Sequence, residues 1–526
     1  MKHGLKKRIL SLVLCISMVL PMAAVPMPVY SVENEESIAP LSNPFTPETI
    51  ITLPDGTTTK SQSYRIPSIV TLADGTIVAA ADIRWNTTFD GGGLDTLVAR
   101  STDDGQTWSY TVANYLGDNG NAYNAQSTTF IDPNLLVAAD GQTVYMLVDL
   151  YAYGIALNGN GFQIMPVADT GFDANGNLKL SNNNHSSYDY YLKDGKIYNS
   201  SNQVEEGYTV DPYFNITYTL AGENKESNLF FADSPFKVAR TQYLYLTKST
   251  DGGATWSEPD LLDVRAKAKV ATTEKALLVS PGNSITTSSG IMVFPVYSYN
   301  GSAESQQMAF IYSTDGGETW LRSDNFTGGA TFSSEAAVVE LKNGNLRFFY
   351  RSDNQVLSYA DFNLVSGNWS AEVQTGVPTN SDTQLSAITY SKTMDGKQVI
   401  LISCPTGPNG EGSNDNNGSA RINGKIHVFV MEEDGTMTLK NTVNMFETLA
   451  TEKLPNANGD FFTEEQGFFS YSSMTERADG SIAILYENSQ SGWGADEGYY
   501  FTITAKTFDK CKYSGVFDFD NQERIN

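Results

Sequence analysis

Histidine is scarce in this chain: 526 residues carry three, His3, His185 and His427. A Ser-His-Asp relay and a zinc site of the usual His/Cys kind are hard to assemble from so few. Any bond cleavage is therefore expected to rest on carboxylates, tyrosine and arginine. One arginine stands out by its surroundings. Arg65 lies in "SYRIPSIV" (63–70), an apolar, β-prone run with Pro67 beside it. A buried guanidinium is costly unless paired, so Arg65 is expected to meet a fixed anionic partner or an anionic ligand.

The overall charge makes an anionic ligand an unusual guest. Lys and Arg number 34 against 60 Asp and Glu, a net charge of -26. Such a surface repels nucleic acid and anionic membranes, so an anion needs a local cluster of positive charge working against the global field. Four of the basic residues, Lys2, Lys6, Lys7 and Arg8, precede an apolar run and the small residues Ala23 and Ala24. This pattern reads as a secretory signal over 1–28. The apolar run is shorter than the roughly 20 residues that cross a bilayer. The expectation is an exported, soluble, monomeric protein with no transmembrane segment. Cys15 falls within that run, leaving Cys404 and Cys511, too few for a disulfide framework; their pairing stays open.

The elements that must position Arg65 are legible as repeats. "STDDGQTW" (101–108) returns as "STDGGATW" (249–256) and "STDGGETW" (313–320), with a looser copy at 358–369. Asp or Asn with Gly makes a tight turn whose amides the Ser and Asp side chains bond, while Thr-Trp pins the hairpin. A calcium loop would need further oxygen ligands and a distal glutamate. Six other phrases join a turn, mostly Asp-Gly or Asn-Gly, to a β-prone run: 72–80, 138–148, 287–298, 341–351, 394–403 and 477–487. Six hairpins predict six radial sheets, an all-β, six-bladed β-propeller over 61–526 after a lead-in at 29–60. The first two repeats are separated by far more chain than the last two. Residues 152–238 are accordingly read as a small β-rich insertion subdomain, either an outgrowth or a wall beside the site. A polar loop at 407–420 is expected to be mobile.

With the repeated Asp motif and "YRIP" together, the sequence resembles the bacterial exo-sialidases of glycoside hydrolase family 33, across about 61–505. The resemblance implies a substrate carboxylate clamped by Arg65, Arg351 in "RFFYRSD" and Arg421 in "SARINGKIHVFV". It implies Tyr471 as nucleophile, Glu335 as its base and Asp90 as acid/base catalyst, with Asp95 the rival for that role. Glu487 is implied to brace Arg65, and Arg84 and Asp132 to face the sugar's hydroxyls. No metal or organic cofactor is implied.

The implied activity is cleavage of terminal α-linked sialic acids from glycoproteins, glycolipids or oligosaccharides through a tyrosyl intermediate, with retention. A general acid at Asp90 calls for a raised pKa or a mildly acidic optimum. Two alternatives remain. In one, a hydroxyl of the sugar attacks and an anhydro-sialic acid leaves, with Trp493 as an apolar wall. In the other, the propeller binds sialoglycans without cleaving them.

Overall fold

All six turn phrases form antiparallel hairpins. Ser63–Thr71 pairs with Ile77–Arg84, Thr129–Val137 with Val144–Tyr151, and Ile285–Thr286 with Met292–Tyr299. Ala336–Glu340 pairs with Leu346–Tyr350, Ser386–Met394 with Lys397–Pro405, and Ser472–Glu476 with Ile482–Asn488. The tightest turn is Asp395-Gly396, both at positive φ (52° and 72°), the geometry that matches strand twist. The computed structural model describes residues 41–508, 517–518 and 523–524, apart from 62, 86–89, 117–127, 157–162, 165–167, 265–273, 381–382, 407–420, 422, 446–453, 456–460, 463–468, 489–501. Within these the chain is all-β, with one turn of 3-10 helix at Ala303–Ser305. The polar loop at 407–420 lies outside the described residues.

Each hairpin extends into a meander. The first two share a nine-stranded sheet and the rest form separate sheets of five, five, four and three strands. Their opening strands meet side chain to backbone. Ser68 Oγ donates to Gly282 O and accepts from the Leu135 amide (3.2 Å), and Ser473 Oγ accepts from the Ile69 amide (3.1 Å). Asn283 Nδ2 donates to Met474 O and Gln384 Nε2 to Ser472 O, each at 3.0 Å. These side chains satisfy backbone groups on the unpaired edges of the opening strands. The registers slip between Arg65 and Ser68 and between Ile131 and Asn134, spanning Pro67 and Pro133.

The repeated octapeptide is structural. In the first copy Ser101 Oγ donates to Asp103 Oδ1 (2.7 Å) and accepts from the Gly105 amide (2.8 Å). Asp103 also takes the Thr107 amide (2.9 Å) and hydroxyl (2.6 Å). The fourth-position carbonyl accepts a donor from another meander in each of these three copies. Arg477 Nη2 reaches Asp104 O (3.1 Å), Arg100 Nε reaches Gly252 O (2.9 Å) and Tyr145 OH reaches Gly316 O (2.9 Å). The motif thus docks one meander on the next. The lead-in uses the same face: Ser42 bonds Gly105 O, and Trp108 Nε1 donates to Ser42 Oγ (2.9 Å).

The looser copy at 358–369 does not form this turn. Ser358 and Asp361 lie within strand Val356–Asn363, where Asp361 holds Arg347 at 2.7 and 2.8 Å. The extra residues place its aspartate on a pleated strand, where no turn amides face it. The insertion occupies the hairpin between Val144–Tyr151 and Gln242–Ser249 as a four-stranded and a three-stranded sheet. Its Leu180, Ile197, Ile216 and Phe230 share one apolar cluster with Val148, Leu150 and Tyr243. Cys404 is buried with a free thiol, pushed up to about 11 by burial; Cys511 lies outside the described residues.

Gly253, the fifth position of its copy, has φ 88°, and a Cβ there would meet both Val78 methyls at 3.0 Å. Gly253→Ala is expected to lower stability by about 1–3 kcal/mol, read as a lower denaturant midpoint. Gly290→Ala, at φ 84° with open space around it, carries the backbone strain alone and is expected to cost less.

Candidate active site

Arg65 and Glu487 form the buried base of the site. Arg65 Nε donates to Glu487 Oε1 at 2.9 Å and Nη2 to Oε2 at 3.3 Å; their side chains are 3% and 0% exposed. Glu487 Oε1 also accepts the Ile66 amide at 2.9 Å. Ile66 sits at φ 59°, a strained conformation for a β-branched residue, and the following Pro67 opens the bulge that turns its amide from the ladder. The sequence expectation of a fixed anionic partner for Arg65 holds.

Arg65 Nη1 donates to Asp90 Oδ1 at 3.0 Å, and Arg84 Nη1 donates to the same oxygen at 2.7 Å. Arg84 is fully buried and its Nη2 donates to Asp82 Oδ2 at 2.8 Å. The other Asp82 oxygen accepts the amide of Asp132 at 3.1 Å, where φ is 64°. Asp82 thus links Arg84 to Asp132. It was invisible in the sequence, one acid in the strand "IVAAADIR", and only its partners identify it.

The second half of the site is built around Tyr471, which precedes strand Ser472–Glu476. Its hydroxyl donates to Glu335 Oε1 at 2.5 Å and accepts from Arg351 Nη1 at 3.1 Å. The same Arg351 nitrogen donates to Glu335 Oε2 at 3.0 Å. Backbone bonds fix both: the Arg351 amide donates to Glu335 O (3.2 Å) and the Glu487 amide to Tyr471 O (2.9 Å). Arg421 Nη1 donates to Ser470 Oγ at 3.0 Å. The guanidinium carbons of Arg421 and Arg65 lie 5.3 and 5.5 Å from the Tyr471 ring centroid.

Nine of the ten site residues expected from sequence therefore converge. The tenth, Trp493, lies outside the described residues. Asp95 does not join them: it is buried in strand Leu94–Ser101 and accepts Trp85 Nε1 at 2.8 Å. Burial pushes its carboxyl up to about 7, with only Trp85 and a backbone amide in opposition. Sequence reading also missed Tyr151 and Tyr297, which pack with Ile131 and Ile155 in one buried cluster beside Asp132.

The electrostatics separate the groups. Burial, and next the Glu335 charge, push the Tyr471 phenol well above its usual range, against the pull of Arg351 and Arg421. It is therefore a neutral phenol at physiological pH. Burial and the neighbouring acids Asp82, Asp149 and Glu335 push Asp132 well up. Burial works the same way on Asp90, but Arg84 and Arg65 outweigh it and hold its carboxyl down to about 2. That direction corrects the expectation of a raised Asp90: in this geometry its charge is matched by two guanidiniums. The arrangement couples a neutral phenol to a carboxylate and surrounds both with cations.

Comparisons with known proteins place the chain among sialidase relatives. A model of the BNR repeat-like domain matches residues 66–442. The anhydrosialidase of Macrobdella decora is 31% identical over 498 residues, 84% of this chain and 60% of its own. Sialidase B of Streptococcus pneumoniae is 26% identical over 88% of this chain and 66% of its own. The chain thus spans under two thirds of these curated relatives. The crystal structure of the intramolecular trans-sialidase from Ruminococcus gnavus in complex with oseltamivir carboxylate superposes with a TM-score of 0.68 at 28% identity, covering 86% of this chain and 95% of that one. The chain belongs to the BNR repeat-like domain family and is a homologue of the sialidases.

Proposed function

We propose that the chain is an exo-α-sialidase that removes terminal α-linked sialic acids from glycoproteins, glycolipids or oligosaccharides. The observation that carries this reading is the buried Tyr471 hydroxyl, bonded to Glu335 at 2.5 Å and ringed by Arg65, Arg351 and Arg421. A sialoside bears a carboxylate on its anomeric carbon, so an anionic nucleophile would approach against like charge, whereas a neutral phenol does not. Charge-assisted bonds of roughly 1.5–3 kcal/mol each let the three guanidiniums hold that carboxylate. Glu487 braces Arg65, and Arg84 and Asp132 face the ring hydroxyls.

In the first step the Tyr471 oxygen attacks the anomeric carbon and its proton passes to Glu335. The glycosidic C–O bond breaks, and the leaving oxygen takes a proton from Asp90. In the second step water attacks the same carbon and gives its proton to Asp90. The tyrosyl C–O bond breaks and the phenol recovers its proton from Glu335. Two inversions give retention.

Asp90 starts this cycle ionised, so binding must protonate it. A substrate carboxylate that takes Arg65 Nη1 removes one of the two guanidiniums stabilising Asp90 and places a like charge nearby. Both effects raise its pKa.

A second reading concerns the product. The similarity to an anhydrosialidase and to an intramolecular trans-sialidase favours attack by the sugar's own hydroxyl on the tyrosyl intermediate, with Trp493 excluding water. Asp90 would then receive the hydroxyl proton in place of one from water.

We further infer a six-bladed propeller as the frame. The nine-stranded sheet resolves into two meanders joined by the single parallel pair Leu94↔Thr129. Export through the 1–28 signal, with 29–60 as a lead-in, completes the reading.

Incubation with α2,3- and α2,6-sialyllactose and mass spectrometry of the products tests it. Free sialic acid supports hydrolysis, an anhydro sugar supports the second reading, and no cleavage of either overturns both. Tyr471→Phe is expected to lower kcat by about a thousandfold or more while most binding remains. The general acid is lost as pH rises through its pKa, which is low in the free enzyme and raised in the complex. The alkaline fall of kcat/KM is therefore expected at lower pH than that of kcat.

A further inference from the structure

The insertion hides a fourth copy of the octapeptide turn. At 181–188 it reads "SNNNHSSY", with Asn183 for the aspartate, His185 for the fifth-position glycine and Tyr188 for the tryptophan. The bonds follow those of the other copies, with the last side-chain bond reversed in direction. Ser181 Oγ donates to Asn183 Oδ1 (2.9 Å) and accepts from the His185 amide (2.9 Å). Asn183 Oδ1 accepts the Ser187 amide (3.1 Å), and its Nδ2 donates to Ser187 Oγ (2.7 Å). Asn184 and His185 take φ 56° and 67°, as Asp104 and Gly105 take 56° and 77°.

The fifth position is where the other copies press on a neighbour. A Cβ on Gly105, Gly253 or Gly317 would come within 2.5 to 3.0 Å of Leu41, Val78 or Tyr145. Here an imidazole spans the gap. His185 Nε2 lies 2.8 Å from Tyr153 OH, and Nδ1 lies 3.1 Å from Tyr188 OH. Arg240 stacks 4.9 Å from the Tyr153 ring centroid and donates to Tyr153 O (3.4 Å) and Gly154 O (3.3 Å). Burial, with Arg240 and Lys237, pushes the imidazole down to about 4, so it bridges the tyrosines as a neutral ring above that pH.

Tyr153 belongs to the segment that follows strand Val144–Tyr151. Two residues upstream, Tyr151 packs with Ile131, Ile155 and Tyr297, and Ile131 precedes Asp132. We propose that His185 is a positioning residue: through Tyr153 it ties the turn at 181–188 to the Tyr151–Ile155 segment and so sets the wall beside Asp132. The insertion is then part of the substrate-binding apparatus, and its contribution is to affinity for the sugar rather than to bond breaking. The kinetic half of this inference rests on the sialidase reading.

His185→Gly isolates the ring, because glycine suits φ 67° and gives the turn the residue its three sister copies use. Losing the bridge is expected to raise KM for sialyllactose about two- to tenfold with kcat nearly unchanged. Amide exchange at 151–155 is expected to quicken, while exchange at 313–320 stays as in the parent. Tyr153→Phe should do the same, and the double variant little more. Unchanged exchange at 151–155, unchanged KM, or a fall in kcat accompanied by a lower melting temperature would each overturn the proposal. If the parent protein cleaves no sialoside, the sialidase reading fails, and the exchange at 151–155 alone decides whether the latch exists.

Discussion

Three guanidiniums cannot be gathered in a buried space without anions to hold them there. Removing one partner of such a pair costs about 3–5 kcal/mol, because it strands a charge away from water. The fold answers with Glu487 under Arg65, Glu335 beside Arg351 and Asp90 shared between Arg65 and Arg84. These anions are not equivalent. Glu487 is fully buried and also holds a backbone amide, so it is a permanent fixture. Asp90 has a 39% exposed side chain, so under the proposed function it is the partner an incoming carboxylate displaces. In the proposed mechanism the distinction makes one interaction serve twice: it keeps Arg65 charged and aimed, and it stores the acid in a form that substrate converts.

The backbone is bent to hold this arrangement. Ile66 and Asp132 sit at φ 59° and 64°, each just before a proline and at a slip in strand register. Strain of this kind costs of order 1–3 kcal/mol per residue and persists where surrounding bonds over-determine it. Glu487 takes the Ile66 amide and Asp82 takes the Asp132 amide, so each strained residue is fastened by a site carboxylate. The network of Ser68, Asn283, Gln384 and Ser473 below keeps the opening strands together. Fold and site are therefore coupled through the same few side chains.

Much of this was legible in the sequence because it is written in local chemistry. The six hairpins follow from turn residues next to β-prone runs, and Arg65 announces itself as a charge in an apolar strand. What escaped depended on distant partners. Asp82 looks like one polar letter in a strand until Arg84 and the Asp132 amide are seen to bind it. The false repeat at 358–369 kept the letters and lost the turn, whereas 181–188 lost most of the letters and kept the turn. Asparagine offers the same acceptor as aspartate, and histidine tolerates the left-handed region, so hydrogen-bonding capacity rather than identity is the better search pattern. The direction of the Asp90 shift could not be read either, since it depends on two arginines folded onto one oxygen.

The decisive measurement is to incubate the protein with a fluorinated sialosyl fluoride, which slows release of the glycosyl-enzyme, and to map the adduct by peptide mass spectrometry. One sialosyl group on the peptide containing Tyr471, absent from Tyr471→Phe, is the expected result. An adduct on any other residue, or rapid cleavage of sialosides with no adduct at Tyr471, would contradict the role assigned to the phenol and to the cations around it.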